Sequence, residues 1–423
     1  MTTTFSDAVK VWARIGMLSF GGPAGQIALL HKELVEERKW LSEPEFLNAL
    51  NFCMLLPGPE AMQLATYCGW RMHGVKGGLA AGLLFVLPGA VIILALSLAY
   101  ALYGKLAFIE AAFFGIKCAV VAIVLDALLK IARRALHRPL DWLLAFAAFI
   151  ALFVFALPFA LVVLSAGVIG YLTSREGATG STSPAPAISG MLRTIMVWLA
   201  VWLVPLAALI GWLGWDHVQS QLARLFSVLA VVTFGGAYSV LASLGQTVVE
   251  QMGWLSTQQM MDGFGLAETT PGPLILVGQF VAFSAAAGSE KSLWASVLAS
   301  LVFLWMTFAP CFLWIFAGAP WIDYLGTKPR LRGALAAITA AVTGVILNLS
   351  LWFALHVVFA KVTRLNGLFP VWWPDLATLD AAALGLTILT SAALLFGKSG
   401  ILKTLALGLC AGLFWRFATT GIF

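Results

Sequence analysis

Two short motifs break apolar stretches of the chain in a way that could bind an anion. The sequence reads FGGP from Phe20 and PGP from Pro57. Proline favours the first position of a helix, so Pro23 and Pro59 are predicted to begin helices within apolar segments. The N–H groups and positive dipole end of a helix N-terminus bind oxyanions. Such breaks persist in a membrane where they line a cavity. The predicted chemistry is therefore oxyanion binding, without a catalytic residue. The alternative is that these prolines only kink spanning helices.

The same motifs recur at one constant spacing. FGG returns at Phe234, WLS at Trp40 returns at Trp254, and PGP returns at Pro271, each 214 residues further on. A constant spacing across three motifs indicates a duplicated block, and discontinuous helices in matching positions of two repeats are typical of transporter substrate sites. The candidate substrate-binding residues in these breaks are Gly21, Gly22, Pro23, Pro57, Gly58, Pro59, Gly235, Gly236, Pro271, Gly272 and Pro273.

Three basic residues are candidates for binding the same anion. Ionisable residues at membrane depth are costly and usually functional. Lys117 lies inside the apolar stretch 108–135 and is the preferred cation. The alternative is a lysine that reaches an interface or is paired locally. Arg14 and Arg71 lie close to the motifs in sequence. For these two arginines, the alternative is an interfacial position without a substrate role.

Three carboxyl groups are candidates for carrying a coupling proton. A carboxyl near an anion site can do so if burial favours its neutral form. Glu268, three residues before the second PGP, is the first choice, followed by Glu60 and Asp126. The alternative for Glu60 is stabilisation of a helix N-terminus. Glu60 and Glu268 are not equivalent under the 214-residue spacing, and Ala237 replaces the proline of GGP, so the halves have diverged.

The composition defines the fold class. Of the 423 residues, 61% are hydrophobic and 10% are charged, and the mean hydropathy is +0.95, whereas soluble domains carry about 25% charge. Stretches such as 79–103 are apolar on every face, which excludes a β-barrel with its alternating strands. The net charge of +6 comes from basic residues between apolar spans, as the positive-inside rule describes, so nucleic acid is not the predicted partner. The prediction is an all-α polytopic protein of the lipid bilayer.

The predicted organisation is two transporter repeats joined by one extra helix. The boundaries are 1–173 for the first repeat, 174–191 for a polar linker, 192–216 for the extra transmembrane helix and 217–423 for the second repeat. Nine spans are predicted: 79–103, 108–135, 140–157, 159–172, 192–215, 293–314, 334–360, 376–396 and 401–417. The duplicated blocks 5–41 and 46–72 either cross the membrane twice or form two re-entrant hairpins.

Lysine and arginine bias predicts that the repeats are inverted. In the first repeat the main basic cluster follows the span 108–135, whereas in the second it precedes the equivalent span 334–360. Since basic ends face the cytoplasm, equivalent spans are predicted to run in opposite directions. Lys361 and Arg364 fall on the predicted outside and disagree with this assignment.

Other classes of function are disfavoured. Five cysteines and five histidines are dispersed without metal-ligand spacing, so no metal and no cofactor are predicted. The chain contains no G-x-x-x-x-G-K-[ST] phosphate loop, which argues against an ATP-driven pump. A membrane enzyme would need a cluster of nucleophile, base or metal ligands, and the sequence shows none. The oligomeric state stays open, a homodimer included.

The motifs FGGP, WLS and PGP, repeated as FGGA, WLS and PGP, resemble the chromate ion transporter family in its long, two-domain form. The resemblance covers the chain apart from the central linker. It implies proton-motive-force-driven export of chromate across the bacterial inner membrane, and chromate resistance. Sulfate has the same tetrahedral shape and double charge, so a sulfate or other oxyanion transporter or exchanger is the alternative.

Overall fold

The computed structural model shows a protein that is almost entirely helical. It describes residues 3–54, 56–104, 106–174, 188–232, 234, 237–321, 329–365 and 370–420. The helices in these ranges are α1 (Phe5–Leu18), α2 (Gly22–His31), α3 (Glu43–Cys53), α4 (Glu60–Tyr103), α5 (Ala107–Ala135), α6 (Pro139–Phe153), α7 (Phe159–Thr173), α8 (Ile188–Leu213), α9 (Val218–Val232), α10 (Ala237–Leu244), α11 (Thr257–Thr269), α12 (Val277–Glu290), α13 (Leu293–Gly318), α14 (Pro329–Val358), α15 (Ala381–Leu395) and α16 (Ile401–Thr420). Strands β1 (Val362–Arg364) and β2 (Trp372–Pro374) pair antiparallel.

Six of the described helices are long and apolar enough to cross a membrane, namely α4, α5, α8, α13, α14 and α16. A spanning helix needs about 20 apolar residues, and five further helices are apolar but shorter. These lengths confirm the predicted all-α, multi-pass membrane class. The nine predicted spans all correspond to helices, and apart from the start of α4 their bounds agree to within a few residues.

Helix α4 differs most from the prediction. It begins at Glu60 rather than at Leu79 because the segment after the first PGP is itself helical. Its backbone leaves the helical conformation at His73 and Gly74, where φ is −135° and +61°. The two parts lie against each other, since a Cβ on Gly77 would come within 2.2 Å of a carbonyl oxygen in the first part. Helix α4 is therefore a hairpin of two helices.

The duplication is visible in the order of elements. Helices α1 to α3 and the first part of α4 are followed by α9 to α12 in the same order. Helices α2 and α10 each run into a π-helical turn, Lys32–Glu37 and Gly245–Gln251, at corresponding positions. π-Helical turns are rare and occur frequently at functional sites. The two halves therefore share an unusual local structure as well as motifs.

The helices before the first PGP motif are short, and their lengths help to decide whether the duplicated blocks cross the membrane or form re-entrant hairpins. Helices α1, α2 and α3 contain 14, 10 and 11 residues. At 1.5 Å per residue, each is shorter than the roughly 30 Å hydrocarbon core. These lengths favour re-entrant hairpins over separate crossings.

The chain divides into two compact units, and each contains segments from both repeats. The first unit comprises Met1–Ser97, Tyr171–Val240 and Thr270–Gly333, and the second comprises Leu98–Gly170, Leu241–Thr269 and Ala334–Phe423. The predicted domain boundaries follow the sequence repeat instead, and they stay a prediction. Most of the predicted linker 174–191 lies outside the described residues.

Glycines set close helix packing within each unit. In the first unit, a Cβ on Gly78 or Gly82 would lie 2.6 or 2.7 Å from a phenylalanine ring of α13. In the second unit, a Cβ on Gly115 of α5 would lie 1.9 Å from the carbonyl oxygen of Gly408 on α16. A side chain at these positions would separate the helices. Helix α5 is thereby held close to α16, which fixes the position of Lys117.

Candidate functional site

The first Gly-Gly-Pro motif begins a helix, as its composition predicts. Gly21 and Gly22 have φ values of 90° and 66°, a region that glycine adopts without steric cost. Helix α2 starts at Gly22, which places Pro23 in its first turn. The N-terminus of α2 therefore directly follows the glycine break. Gly235 and Gly236, the corresponding residues of the second half, lie outside the described residues.

The second Pro-Gly-Pro motif is bonded to the first Gly-Gly-Pro break within the first unit. The N–H of Gly272 (φ 95°) donates to the carbonyl oxygen of Ser19 at 2.9 Å and to its hydroxyl at 3.1 Å. The side chain of Gln26 donates to the Gly272 carbonyl at 2.6 Å and to the Ser19 carbonyl at 3.3 Å. Ser19 and Gln26 are buried. Two breaks from different halves thus share one hydrogen-bonded centre.

The backbone of α4 also touches this centre. A Cβ on Gly89 would lie 2.1 Å from the carbonyl oxygen of Pro271, which is too close for any residue with a side chain. Glycine allows the α4 backbone to contact the break directly. Gln279 of α12 donates to the carbonyl of Ala90 at 3.1 Å, which further joins α12 to this part of α4.

The first Pro-Gly-Pro motif has its own buried glutamine in the same unit. Gly58 has a φ of 110°, and the side chain of Gln63 donates to the Pro57 carbonyl at 2.7 Å. Gln63 is fully buried, and its Oε1 has no hydrogen-bond partner among the described residues. Helix α4 begins at Glu60, immediately after Pro59, and the corresponding Pro273 precedes the 3₁₀ turn that leads into α12. The predicted helix starts after the PGP motifs are confirmed.

The charged residue predicted within a span is buried beside a carboxylate that the sequence analysis did not select. In the second unit, Nζ of Lys117 lies 3.4 Å from Oδ1 of Asp262 on α11, and both side chains are less than 10% exposed. The hydroxyl of Tyr100 donates to Oδ2 of Asp262 at 2.8 Å, and the Tyr100 ring packs edge-on against Phe113. Lys117, Asp262 and Tyr100 are called the charged cluster below.

The two predicted arginines lie in exposed ion pairs of the first unit. Arg14 is 59% exposed and lies 3.7 Å from Glu33, a buried carboxylate that also pairs with Arg38. Arg71 is 57% exposed and lies 3.7 Å from Glu45. This exposure agrees with the interfacial alternative, and the substrate roles of both arginines stay predictions.

The predicted carboxyls have different surroundings. Asp126 accepts a hydrogen bond from Lys130 at 2.7 Å, one helical turn further on, so its charge is already compensated. Glu60 is half-buried at the start of α4, where a carboxylate stabilises the helix dipole. Glu268 is buried near the end of α11, which suits a group that takes up a proton. Their proton-carrying roles also stay predictions.

Several residues of these centres were missed by sequence reasoning. Asp262 is the acidic residue six positions before Glu268, and the 214-residue spacing aligns it with Asn48 rather than with another carboxylate. Gln26 aligns with Val240. A search for identical motifs in both halves therefore passes over these positions. An acidic residue between the duplicated WLS and PGP motifs is the signal that could have identified Asp262.

Each unit has its own feature suited to binding an anion. In the first unit the helix starts that follow the breaks supply N–H donors, and in the second unit Lys117 supplies a buried positive charge. The described residues contain no group of three or more His, Cys, Asp or Glu side chains that could hold a metal ion.

Comparison with known proteins identifies the family. The chromate transporter family matches residues 6–171 and 220–415. The chain belongs to the chromate transporter family. The two matched segments contain both copies of the FGG, WLS and PGP motifs, so the family resemblance seen in the sequence is confirmed.

This chromate transporter family member is similar to three relatives over most of their length. A probable chromate transport protein of Synechococcus elongatus is 30% identical, covering 81% of this chain and 83% of the relative. A chromate transport protein of Cupriavidus metallidurans is 28% identical, covering 82% and 81%. One from Pseudomonas aeruginosa is 31% identical, covering 79% and 77%. No solved structure matches the chain.

Replacing Gln26 by leucine is expected to impair transport by this chromate transporter family member. The change leaves the Gly272 carbonyl without the donor that Gln26 supplies, while the Ser19 carbonyl keeps the Gly272 N–H. An unsatisfied buried acceptor costs about 1–3 kcal/mol in the free energy of unfolding. Displacement of the break is expected to lower chromate flux on the order of tenfold or more. Flux and thermal unfolding of the purified protein in liposomes are the measurements.

The matched control is Gln219→Leu. Gln219 is a buried glutamine of the same unit that donates to Glu290 and to the Ala295 carbonyl, both at 2.9 Å, near the far end of α12. Its loss should lower stability similarly and leave flux per folded molecule unchanged. Equal flux losses in both variants would assign Gln26 a purely structural role.

Proposed function

We propose that the protein is a secondary transporter that exports chromate across the bacterial inner membrane, driven by the proton motive force, and so gives chromate resistance. The observation that carries the proposal is the buried centre in which the Gly272 break is bonded to Ser19 and Gln26. Membership of the chromate transporter family and the names of the relatives supply the substrate. The family is one of transporters, so no enzymatic reaction is proposed.

The proposed binding groups follow from the charges and dipoles. Chromate is a tetrahedral dianion, and the N-terminal dipoles of α2, α4 and α12 favour negative charge. Lys117 is the proposed cation for the anion, and Arg14 and Arg71 are proposed to act near the membrane interface. Glu268 is the first proposed proton carrier among the carboxyls predicted from the sequence, ahead of Glu60 and Asp126.

We also propose that the two repeats are inserted in opposite orientations. Inverted repeats with broken helices allow alternating access by movement of one repeat against the other. Within the second unit, Arg364 is neutralised by Glu250 at 2.7 Å. Because of this pairing, Arg364 counts less as a positive-inside signal. Arg364 is one of the two basic residues that disagreed with the predicted orientation.

Chromate flux into proteoliposomes containing the purified chain tests the proposed function. Chromate is expected to enter the liposomes, and the rate of chromate flux is expected to change when a proton motive force is imposed. Excess sulfate should inhibit this flux if the site binds both ions, and it should have no effect if the site distinguishes them. Empty liposomes are the control. Absence of chromate flux, or sulfate flux that excess chromate does not reduce, would contradict chromate as the substrate. Flux that needs sulfate on the opposite side would indicate exchange.

A further inference from the structure

The charged cluster has few of the contacts that stabilise a structural ion pair. Nζ of Lys117 carries three donors, and among the described residues its one ion partner is Asp262, whose Oδ1 lies 3.4 Å away and makes no hydrogen bond. Charge-assisted hydrogen bonds are usually 2.7–2.9 Å long. Burying such a pair costs more than its attraction returns unless further hydrogen bonds satisfy both ions. The cluster is therefore poorly explained as a stabilising element.

A second buried carboxylate in the same unit, paired with an exposed arginine, shows the contrast. Asp141 at the start of α6 accepts from the backbone N–H of Arg138 at 2.9 Å and from its guanidinium at 2.9 Å. The backbone N–H of His137 also donates to Asp141. This carboxylate caps a helix with several donors, as structural carboxylates do. In contrast, Asp262 accepts one hydrogen bond, from the Tyr100 hydroxyl, and its ion partner Lys117 lies 3.4 Å away.

We propose that Asp262 occupies the position on Lys117 that the transported oxyanion takes, and that Asp262 accepts a proton when the anion binds. Without the anion, the ammonium and the carboxylate compensate each other. A dianion on Lys117 would repel an ionised Asp262. A proton from water therefore forms an O–H bond on the carboxyl, and the site changes from neutral to a net charge of −1. This inference rests on the proposed function and names its proton-binding residue.

The surroundings support Asp262 as the carboxyl that changes state. Exposed Glu110, near the start of α5, adds negative charge at longer range. Helix α11 packs on α5 closely enough that a Cβ on Gly265 would lie 2.5 Å from the side chain of Ile116, which holds Asp262 beside Lys117. Further ionisable residues lie on α5, on α11 and on the elements packed around them: Asp126, Lys130, Arg133, Arg134, Glu250, Glu268, Arg330, Arg332, His356, Asp380, Lys403 and Arg416.

The proton and the anion then travel in the same direction. Because binding takes up a proton, anion affinity rises as pH falls, by about tenfold per pH unit where one proton is taken up. Release of the anion on the other side restores the Lys117–Asp262 pair and releases the proton there. Asp262 acts through Lys117 and is a positioning and proton-binding residue.

Proton uptake on chromate binding tests the inference. The purified full chain in lipid nanodiscs is titrated with chromate at alkaline pH, where chromate remains a dianion, and proton uptake is followed with a pH indicator in weak buffer. The wild type is expected to take up about one proton per bound chromate. Asp262→Asn is expected to bind chromate without proton uptake and with an affinity that no longer depends on pH.

Two further variants assign the proton. Glu250→Gln removes a partly buried carboxylate of the same unit, paired with Arg364, and should retain full uptake. Uptake that persists in Asp262→Asn but disappears in Glu268→Gln would assign the proton to Glu268 and overturn the inference. Wild-type binding without uptake would overturn it even if Asp262→Asn failed to fold. Absence of chromate binding by the wild type would overturn the proposed function as well.

Discussion

Replacing Lys117 by alanine is expected to reduce chromate flux to the level of empty liposomes. The change removes the buried cation proposed to bind the dianion, and it leaves Asp262 buried without its ion partner. Removing one member of a buried ion pair costs about 3–5 kcal/mol of stability. The single substitution Lys117→Ala can therefore lower flux either by removing the binding cation or by unfolding the protein. For this reason, flux must be expressed per folded molecule.

A double substitution separates these two effects. Replacing Lys117 by methionine and Asp262 by leucine together removes both charges and keeps side chains of similar volume. Such replacements of buried pairs are often neutral or stabilising, by about 1–4 kcal/mol. The double variant should therefore regain the thermal stability lost in Lys117→Ala and still show no flux.

Lys130→Ala is the matched control on the same helix. Lys130 is 65% exposed and pairs with Asp126 at 2.7 Å, and surface pairs of this kind contribute at most about 1 kcal/mol. Its loss should change neither stability nor flux appreciably. Wild-type flux in Lys117→Ala, or in the double variant, would remove Lys117 from the proposed site.

The helix breaks could be predicted from sequence because their chemistry is local. Glycine supplies positive φ values and proline begins a helix whatever the rest of the chain does, so Gly22, Pro23 and Gly58 behave as their types dictate. The constant spacing of the motifs then located the second copies. Composition alone was sufficient for the membrane class, since 61% hydrophobic residues cannot be buried in a soluble domain of ordinary composition.

The partners of these residues could not be predicted because they depend on packing between distant helices. Gln26 and Gly272 are 246 positions apart, and no local rule joins a glutamine side chain to a particular carbonyl. Lys117 was selected because it lies within an apolar span, whereas its pairing with Asp262 requires the close approach of α11 to α5. The sequence repeat also obscured these contacts, because Asp262 and Gln26 have no identical counterparts in the other half.

Export is expected to respond in opposite directions to the two components of the proton motive force. If one proton accompanies each chromate, each outward step moves a net charge of −1. A potential of 100 mV, negative inside, favours that step by about 2.3 kcal/mol. An inside pH one unit more alkaline opposes it by about 1.36 kcal/mol, because a proton moves toward its higher concentration. The potential therefore drives export and the pH gradient opposes it.

Proteoliposomes with independently set gradients provide the measurement. Chromate is loaded inside, a potassium gradient with valinomycin sets the potential, and the internal and external buffers set the pH difference. Collapsing the potential is expected to slow chromate efflux to the rate that the chromate gradient alone supports, whereas collapsing the pH difference at constant potential is expected to increase efflux. The Asp262→Asn variant should keep the response to potential and lose the response to pH.

The sign of the pH response distinguishes three transport mechanisms that share the same substrate. A proton–chromate exchanger would take protons inward, so an alkaline interior would assist export and its collapse would slow the flux. A uniporter would respond to the potential and show no pH response. An increase in export on collapse of the pH difference supports carriage of the proton with the anion. A decrease would contradict the role assigned to Asp262 while leaving chromate transport itself intact.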